Sequence, residues 1–324
     1  MKTPPPIALK ELEAALVAAY GVCPAGLSFL PCGECSWGYR VIEADGPGYF
    51  LKLYRGGSPP EWSARLVRRL AEETGLAEIS APLPDRAGRL TSQLAGFPAA
   101  LFRWVEGPTL WAAGERSEIL CRLGQLLARL HACRELRGSC QRVENFDLTG
   151  EADFRRVLAA LEGSAPAAGS PAARAAFGLL APVRSRLAVL LEELLKAQTR
   201  ARSQPRPLCI CHGDPTPGNV LAAAGGQICL IDWDDLILAP RERDLVFWAD
   251  GQAFFEGETA NPVLEGYAGL AGPVRLDEDI MSFYQRQWTV GEIAAFGGRL
   301  LFETPKDEQA ESDLSNLEEE LRWI

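Results

Sequence analysis

Histidine is almost missing from this chain: there are two, His131 and His212, in 324 residues. Two-metal hydrolases generally build their centres from several imidazoles, which this chain cannot readily supply, so a metal-dependent phosphatase of that kind is disfavoured. No run of about 18 uncharged apolar residues occurs either, and no bilayer-spanning helix is expected. The opening MKTPPPIALKELEAAL has three prolines and then regular charges where a secretory signal needs an unbroken apolar stretch. A cytoplasmic protein is expected. Positive charge is in deficit, with 33 Lys and Arg against 43 Asp and Glu and a net charge of −10. That balance disfavours nucleic acid and membrane as partners and favours a cationic small-molecule substrate. A monomer is expected.

Cysteine is not scarce, but its pattern is poor. Nine thiols, an odd number at irregular spacings, point to reduced cysteines and not to a disulfide framework. Cys32-Gly-Glu-Cys35 and Cys209-Ile-Cys211 each offer half of a zinc site, yet a structural site needs four ligands and no second pair stands at a matching spacing. Small hydrophobes in strands and loops are the expectation for them.

A length of 324 residues and 35.2 kDa allows one or two core-bearing units. LKELEAALVAAY carries Leu9, Leu12, Leu16 and Tyr20 at helical spacing and predicts a helix over 9–20, stopped by Gly21. YRVIEADGPGYFLKLYR predicts a β-hairpin turning at Asp45-Gly46-Pro47-Gly48. SPPEWSARLVRRLAEETG predicts a helix with Ser58 as its cap and Gly75 as its stop. Two further strands, RLTSQL and PAALFRWV, run up to Glu106-Gly107-Pro108. Beyond them SEILCRLGQLLARLHACREL and LLAPVRSRLAVLLEELLKAQT are helical by period, with an Ala/Gly/Pro/Ser-rich connector at 161–175 between them. The expected class is therefore α+β. Residues 1–106 form a small, mainly antiparallel β lobe and 107–324 a larger, mainly helical one, with ligand chemistry in the cleft between.

The chemistry concentrates in CHGDPTPGNVL (211–221) and LIDWDD (230–235). Short apolar runs lead into both, so Asp214, Asn219 and Asp232 are expected on neighbouring loops at the ends of adjacent strands. Two carboxylates and an amide oxygen form a hard oxygen set, suited to Mg²⁺ carried in with a nucleotide. Phosphoryl transfer needs a base, metal ligands and a lysine on the phosphates placed by a glutamate. Lys52, in the apolar strand YFLKLYR, and Glu61, in the next helix, are the candidates. Gly33, Ser36 and Gly38 of PCGECSWGYR offer amides and a hydroxyl to phosphate. The plainer readings are an edge-strand lysine, a Glu61 that favours the helix start or pairs with Arg65, and aspartates that cap turns. Glu72 and Glu73 are substitutes for Glu61. His131 reads as a helix-end dipole partner or core residue.

His212-x-Asp214 with Asn219, followed by Ile231-Asp232-Trp233-Asp234, resembles the signature of the aminoglycoside phosphotransferases and, more distantly, of protein kinases. LGQLLARLHAC and LAPRERDLVFW resemble the helix that opens the family's second lobe and its segment after the metal-binding strand. IDWDDLILAPRERDL, LEGYAG and SFYQRQWTVGEIAAFG are most similar to the spectinomycin 9-phosphotransferase branch. The resemblance implies a two-lobed, protein-kinase-like fold, with ATP and Mg²⁺ as cofactors. It makes Asp214 the catalytic base, Asn219 and Asp232 the metal ligands, and Lys52 the phosphate-binding lysine held by Glu61. The backbone of Arg103 to Val105 becomes the adenine hinge, Asp244 a brace for the catalytic loop, and His212 a packed residue that orients it.

Asp234 and Asp235 follow the metal ligand and are expected to attract an amine-bearing substrate, with turn capping as the alternative. Arg286 and Glu292 are further candidates for substrate contact. The expected function is ATP-dependent transfer of the γ-phosphate to a hydroxyl of an aminocyclitol or aminoglycoside, spectinomycin foremost. The alternatives are a same-fold kinase of choline, homoserine or a sugar, and a catalytically silent nucleotide-binding module.

Overall fold

A computed structural model describes residues 3–31, 33, 36–44, 46, 48–114, 117–163, 170–249, 261–303 and 305–324. The chain opens with helix α1 (Leu9–Tyr20) and strands β1 (Gly26–Leu30), β2 (Ser36–Ile42) and β3 (Tyr49–Tyr54). Helix α2 (Glu61–Glu73) leads to β4 (Pro82–Leu83), β5 (Ser92–Leu94) and β6 (Phe97–Arg103). Then come α3 (Leu110–Ala113), α4 (Ser117–His131), α5 (Glu151–Ala160), α6 (Pro171–Leu180) and α7 (Arg184–Arg202). Short strands follow: β7 (Cys209–Cys211), β8 (Val220–Ala222), β9 (Ile228–Leu230) and β10 (Ile237–Ala239). Helices α8 (Glu242–Ala249), α9 (Pro262–Ala271), α10 (Glu278–Phe302) and α11 (Asp307–Glu320) close the chain.

Residues 1–143 and 207–275 form one compact unit, and 144–206 with 276–324 the other. The chain thus does not part at residue 106, where the sequence changes from strand-rich to helical. Helices α4, α8 and α9 and strands β7 to β10 belong to the same unit as the first six strands.

In the first unit an antiparallel sheet runs β1-β2-β3-β6-β4, with β5 also on β6. Side chains alternate across a strand, and β3 shows the consequence. Leu51 and Leu53 are fully buried with Leu12 and Leu16 of α1, Tyr39 and Val41 of β2, and Leu101 of β6. Each such leucine contributes about 2 kcal/mol by leaving water. Phe50, Lys52 and Tyr54 stand on the other face. Gly21 ends α1 in the left-handed region at φ 75°, its N–H on the Val17 carbonyl. Helices α4 and α9 cross very closely, since a Cβ at Gly124 would lie 1.9 Å from the Val263 oxygen and one at Gly266 2.0 Å from that of Cys121.

The β2–β3 hairpin pairs in register from Ser36↔Tyr54 to Val41↔Tyr49; Asp45 and Pro47 of its turn lie outside the described residues. Helix α2 begins at Glu61 after Pro60, with no side-chain cap, so Ser58 does not cap it. Two prolines separate Ser58 from the first turn. The expected connector at 161–175 contains the start of α6, where Ser170 Oγ accepts from the Ala173 N–H and Pro171 fills the first turn.

The second unit is helical. Phe154, Val157, Leu187, Leu194, Val290 and Ile293 are fully buried in it, and Arg299 grips the buried Asp313 with two hydrogen bonds of 2.9 and 2.8 Å. Asp277 caps α10 by accepting from the amides of Asp279 and Ile280.

Candidate active site

A cavity of about 300 Å³ opens over the outer face of the sheet, floored by Gly38, Phe50, Lys52, Tyr54, Ala100 and Phe102. The register explains its depth. Lys52 lies opposite Gly38 on β2 and Ala100 on β6, so its long side chain rises between two small neighbours. Its Nζ donates to Asp232 Oδ1 and Asp234 Oδ2, both at 2.7 Å. Burial alone would lower the ammonium's pKa, but the Asp232 and Asp234 carboxylates outweigh it and hold that pKa above the usual lysine value. Tyr54 braces the cluster, its hydroxyl 3.4 Å from Asp234 Oδ1 and its ring beneath Nζ.

The opposite wall comes from the first of two β-ribbons, through Asn219, Leu221 and Ile231 to Asp234. Strand β8 pairs with β9 and β7 with β10, so Asn219 and Asp232 belong to one ribbon and His212 to Asp214 to the other. The Ile231 amide donates to the Asn219 carbonyl at 2.9 Å. Asp232 then takes φ 62°, a left-handed conformation uncommon outside glycine. Asn219 Nδ2 donates to the Asp214 carbonyl (2.9 Å) and to Asp214 Oδ2 (2.8 Å). With both amide hydrogens engaged, Oδ1 is the acceptor atom left to Asn219. Asp214 Oδ1 is buried with no hydrogen-bond partner. Burial foremost, then the charges of Asp235 and Asp232, raise the Asp214 pKa to about 7, against Arg243 and the Asn219 hydrogen bond.

Under this loop sits Asp244, fully buried, accepting the amides of His212 (2.9 Å) and Gly213 (2.8 Å) and His131 Nε2 (3.0 Å). Burial would raise its pKa, but the His131 hydrogen bond and charge, aided by the Gly213 amide, hold it low. His212 is fixed in one tautomer: Nδ1 accepts the Asp214 amide at 3.2 Å, so Nε2 carries the proton donated to the Ile231 carbonyl at 2.9 Å. Its desolvation lowers its pKa, which keeps it neutral. Gly213 at φ 92° admits no side chain, because a Cβ would lie 2.2 Å from the Asp235 oxygen.

Lys52, Asn219, Asp232 and Ser36 thus line one cavity together with Arg103, Trp104 and Val105. Within the stretch expected as the hinge, the Trp104 N–H donates to the Gly48 carbonyl at 3.1 Å. Cys32, Glu34 and Cys35 of the expected phosphate loop lie outside the described residues, while Gly33 and Gly38 line the cavity.

One expected pairing is corrected. Glu61 does not hold Lys52: its carboxylate takes Arg65 Nε (3.2 Å) and Thr91 Oγ1 (3.3 Å), the neighbours its place at the start of α2 gives it. Its substitutes are also spent along the helix, Glu72 on Arg68 and Glu73 on Arg69. Asp234 gives one carboxylate oxygen to Lys52 while its side chain stays 39% exposed, and Asp235 pairs with Arg142 at 3.1 Å. Arg286, on α10 in the second unit, binds Glu193 Oε2 at 3.1 and 2.9 Å and Ser282 Oγ at 2.8 Å. Glu292 stands on the same helix, and neither residue is among those lining the cavity. The sequence reading missed Tyr54, whose alternation with Lys52 was the available signal, and the pairing of His131 with Asp244, which had none.

The profile of the phosphotransferase enzyme family matches residues 36–278. This chain belongs to that family, and it is a small-molecule kinase with an α+β, protein-kinase-like fold. Protein StrN of Streptomyces griseus is 33% identical over 306 residues, which cover 89% of this chain and 83% of that protein. Spectinomycin phosphotransferase APH(9)-Ia, solved in complex with ADP and spectinomycin, superposes with a TM-score of 0.82 at 22% identity over 97% of this chain and 95% of that one. An amicoumacin kinase in complex with AMP-PNP and Ca²⁺ superposes with a TM-score of 0.61 at 15% identity, covering 95% and 91%. No helix among the described residues is long and apolar enough to cross a membrane.

Proposed function

We propose that this kinase transfers the γ-phosphate of ATP to a hydroxyl of a cationic aminocyclitol or aminoglycoside, with spectinomycin as the acceptor. The observation that carries the chemistry is Asp214: one carboxylate oxygen is clamped by Asn219 and the other is buried with no partner. A pKa near 7 lets that oxygen take a proton and release it again at neutral pH. The acceptor oxygen attacks the γ-phosphorus, the bond from that phosphorus to the β,γ-bridging oxygen breaks, ADP leaves, and the hydroxyl proton passes to Asp214 Oδ1. Lys52 holds phosphate oxygens by charge, and Asp234 and Tyr54 keep its ammonium in place. The donor set fits Mg²⁺: Asn219 Oδ1 and Asp232 would hold the ion, which supplies neutralisation of the phosphate charge. The choice of acceptor rests on the likeness to the spectinomycin phosphotransferase and on the net charge of −10.

A coupled ADP-release assay with spectinomycin, aminoglycosides, choline, homoserine and sugars tests this. Turnover highest with spectinomycin is the expected result. Turnover with choline, homoserine or a sugar, and none with an aminocyclitol, moves the acceptor to a metabolic alcohol.

A further inference from the structure

Beneath the catalytic loop, outside the cavity, lies a cluster that phosphoryl transfer does not use. Cys209 and Cys211 share one face of β7, as residues i and i+2 of a strand must. Their Sγ atoms are 3.6 Å apart. The Ala239 carbonyl oxygen, on the partner strand β10, is 3.5 Å from one sulfur and 3.6 Å from the other. His131, at the end of α4, completes the group: a ring nitrogen and the two sulfurs all lie within 4.8 Å of one another, and all three residues are buried. The three distances among the two sulfurs and the carbonyl oxygen are near 3.6 Å, and a regular tetrahedron of that edge has its centre roughly 2.2 Å from each corner, close to a zinc–thiolate bond of about 2.3 Å.

The surroundings fit a cation as well as the corners do. Asp244 holds His131 Nε2 at 3.0 Å, the carboxylate–imidazole arrangement that fixes a ligating tautomer and makes the other nitrogen more basic. That other nitrogen, Nδ1, lies 2.9 Å from the Tyr267 hydroxyl. The hydrogen bond from Cys211 and the charge of His131 lower the Cys209 pKa, while burial is offset by Cys209 and Asp244 to raise that of His131. Two thiols and an imidazole are the soft and borderline donors that zinc takes.

We propose that Cys209, Cys211 and His131 form a buried zinc site, completed by the Ala239 carbonyl and filled as the chain folds. Binding as two thiolates and a neutral imidazole releases two protons in all from the Cys209, Cys211 and His131 group. Because Asp244 also holds the His212 and Gly213 amides, zinc here fastens the end of α4 and strand β7 to the catalytic loop.

The test uses the full chain with Cys32→Ser and Cys35→Ser, so that the other closely spaced thiol pair contributes no sulfur. The protein is refolded with zinc chloride, dialysed against a weak chelator and assayed for metal. About one zinc per chain is expected, with two sulfurs in the zinc-edge X-ray absorption spectrum. Adding Cys209→Ser and Cys211→Ser abolishes the bound zinc, while Cys229→Ser leaves it. A zinc-free chain, or equal zinc in the Cys209/Cys211 variant, overturns the proposal. Should that variant fail to fold, the absorption spectrum decides alone, and a shell lacking two sulfurs overturns the proposal.

Discussion

Asp214 and Asp244 stand thirty positions apart, and both carboxylates are drawn out of bulk water, yet their pKa values move in opposite directions. Asp244 collects two backbone amides and an imidazole. Asp214 collects one side-chain amide and faces two other carboxylates. Burial sets the cost of a charge, and the donors supplied decide whether it is borne. Asp244 is thereby fitted to brace the loop and Asp214 to its proposed role as base, within one loop system.

The largest expected effect is on Asp214. Asp214→Asn lowers kcat by about 100- to 10,000-fold, the usual worth of a general base, while nucleotide affinity measured by calorimetry is retained. The same variant sharpens the comparison through stability. A carboxyl raised to about 7 in the fold is penalised when ionised, so the wild type loses stability as pH climbs from the unfolded value through that point. Asp214→Asn therefore melts at a higher temperature than the wild type at pH 8, as calorimetric scans read, and the advantage vanishes below about pH 4. An unchanged kcat would break the assignment.

Asp244→Asn is expected to do the reverse. Removing a buried charge from His131 and two amides costs about 3 to 5 kcal/mol of unfolding free energy, read from denaturant curves. A carboxyl held low stabilises the fold above its unfolded pKa, so this deficit shrinks as pH falls. Next in size is Asp234→Asn. Loosening one of two carboxylates on Lys52 weakens nucleotide binding by roughly tenfold, equivalent to about 1.4 kcal/mol. Glu61→Gln has the smallest effect, under about twofold on nucleotide Kd, because it disturbs only an exposed pair with Arg65 and a long contact with Thr91. A larger loss with Glu61→Gln than with Asp234→Asn would restore the helix glutamate as the partner of the lysine.

Much of this arrangement was legible beforehand where local rules hold. The hairpin carrying Lys52 follows from alternation about a Gly/Pro turn, and α1 from a leucine stripe ended by Gly21. Helix α6 escaped because its alanine-rich stretch shows no apolar stripe, although Ser170-Pro171 marked its start. The partner of Lys52 escaped for another reason. Glu61 and Asp234 are equally plausible anions in a sequence, and only the path of the chain between Lys52 and residue 234 brings one of them to 2.7 Å.

Sequence alone set which side chains are available: closely spaced carboxylates and an amide, one lysine in an apolar strand, and too few imidazoles for a histidine-built two-metal centre. Side-chain type and short-range periodicity are properties of neighbours along the chain, so they survive without a fold. Tertiary structure alone decided who meets whom. Lys52 met Asp234, and His131 met Asp244 and the paired thiols of β7, because hydrogen bonds and Coulomb energy depend on distances that only packing of remote segments can set.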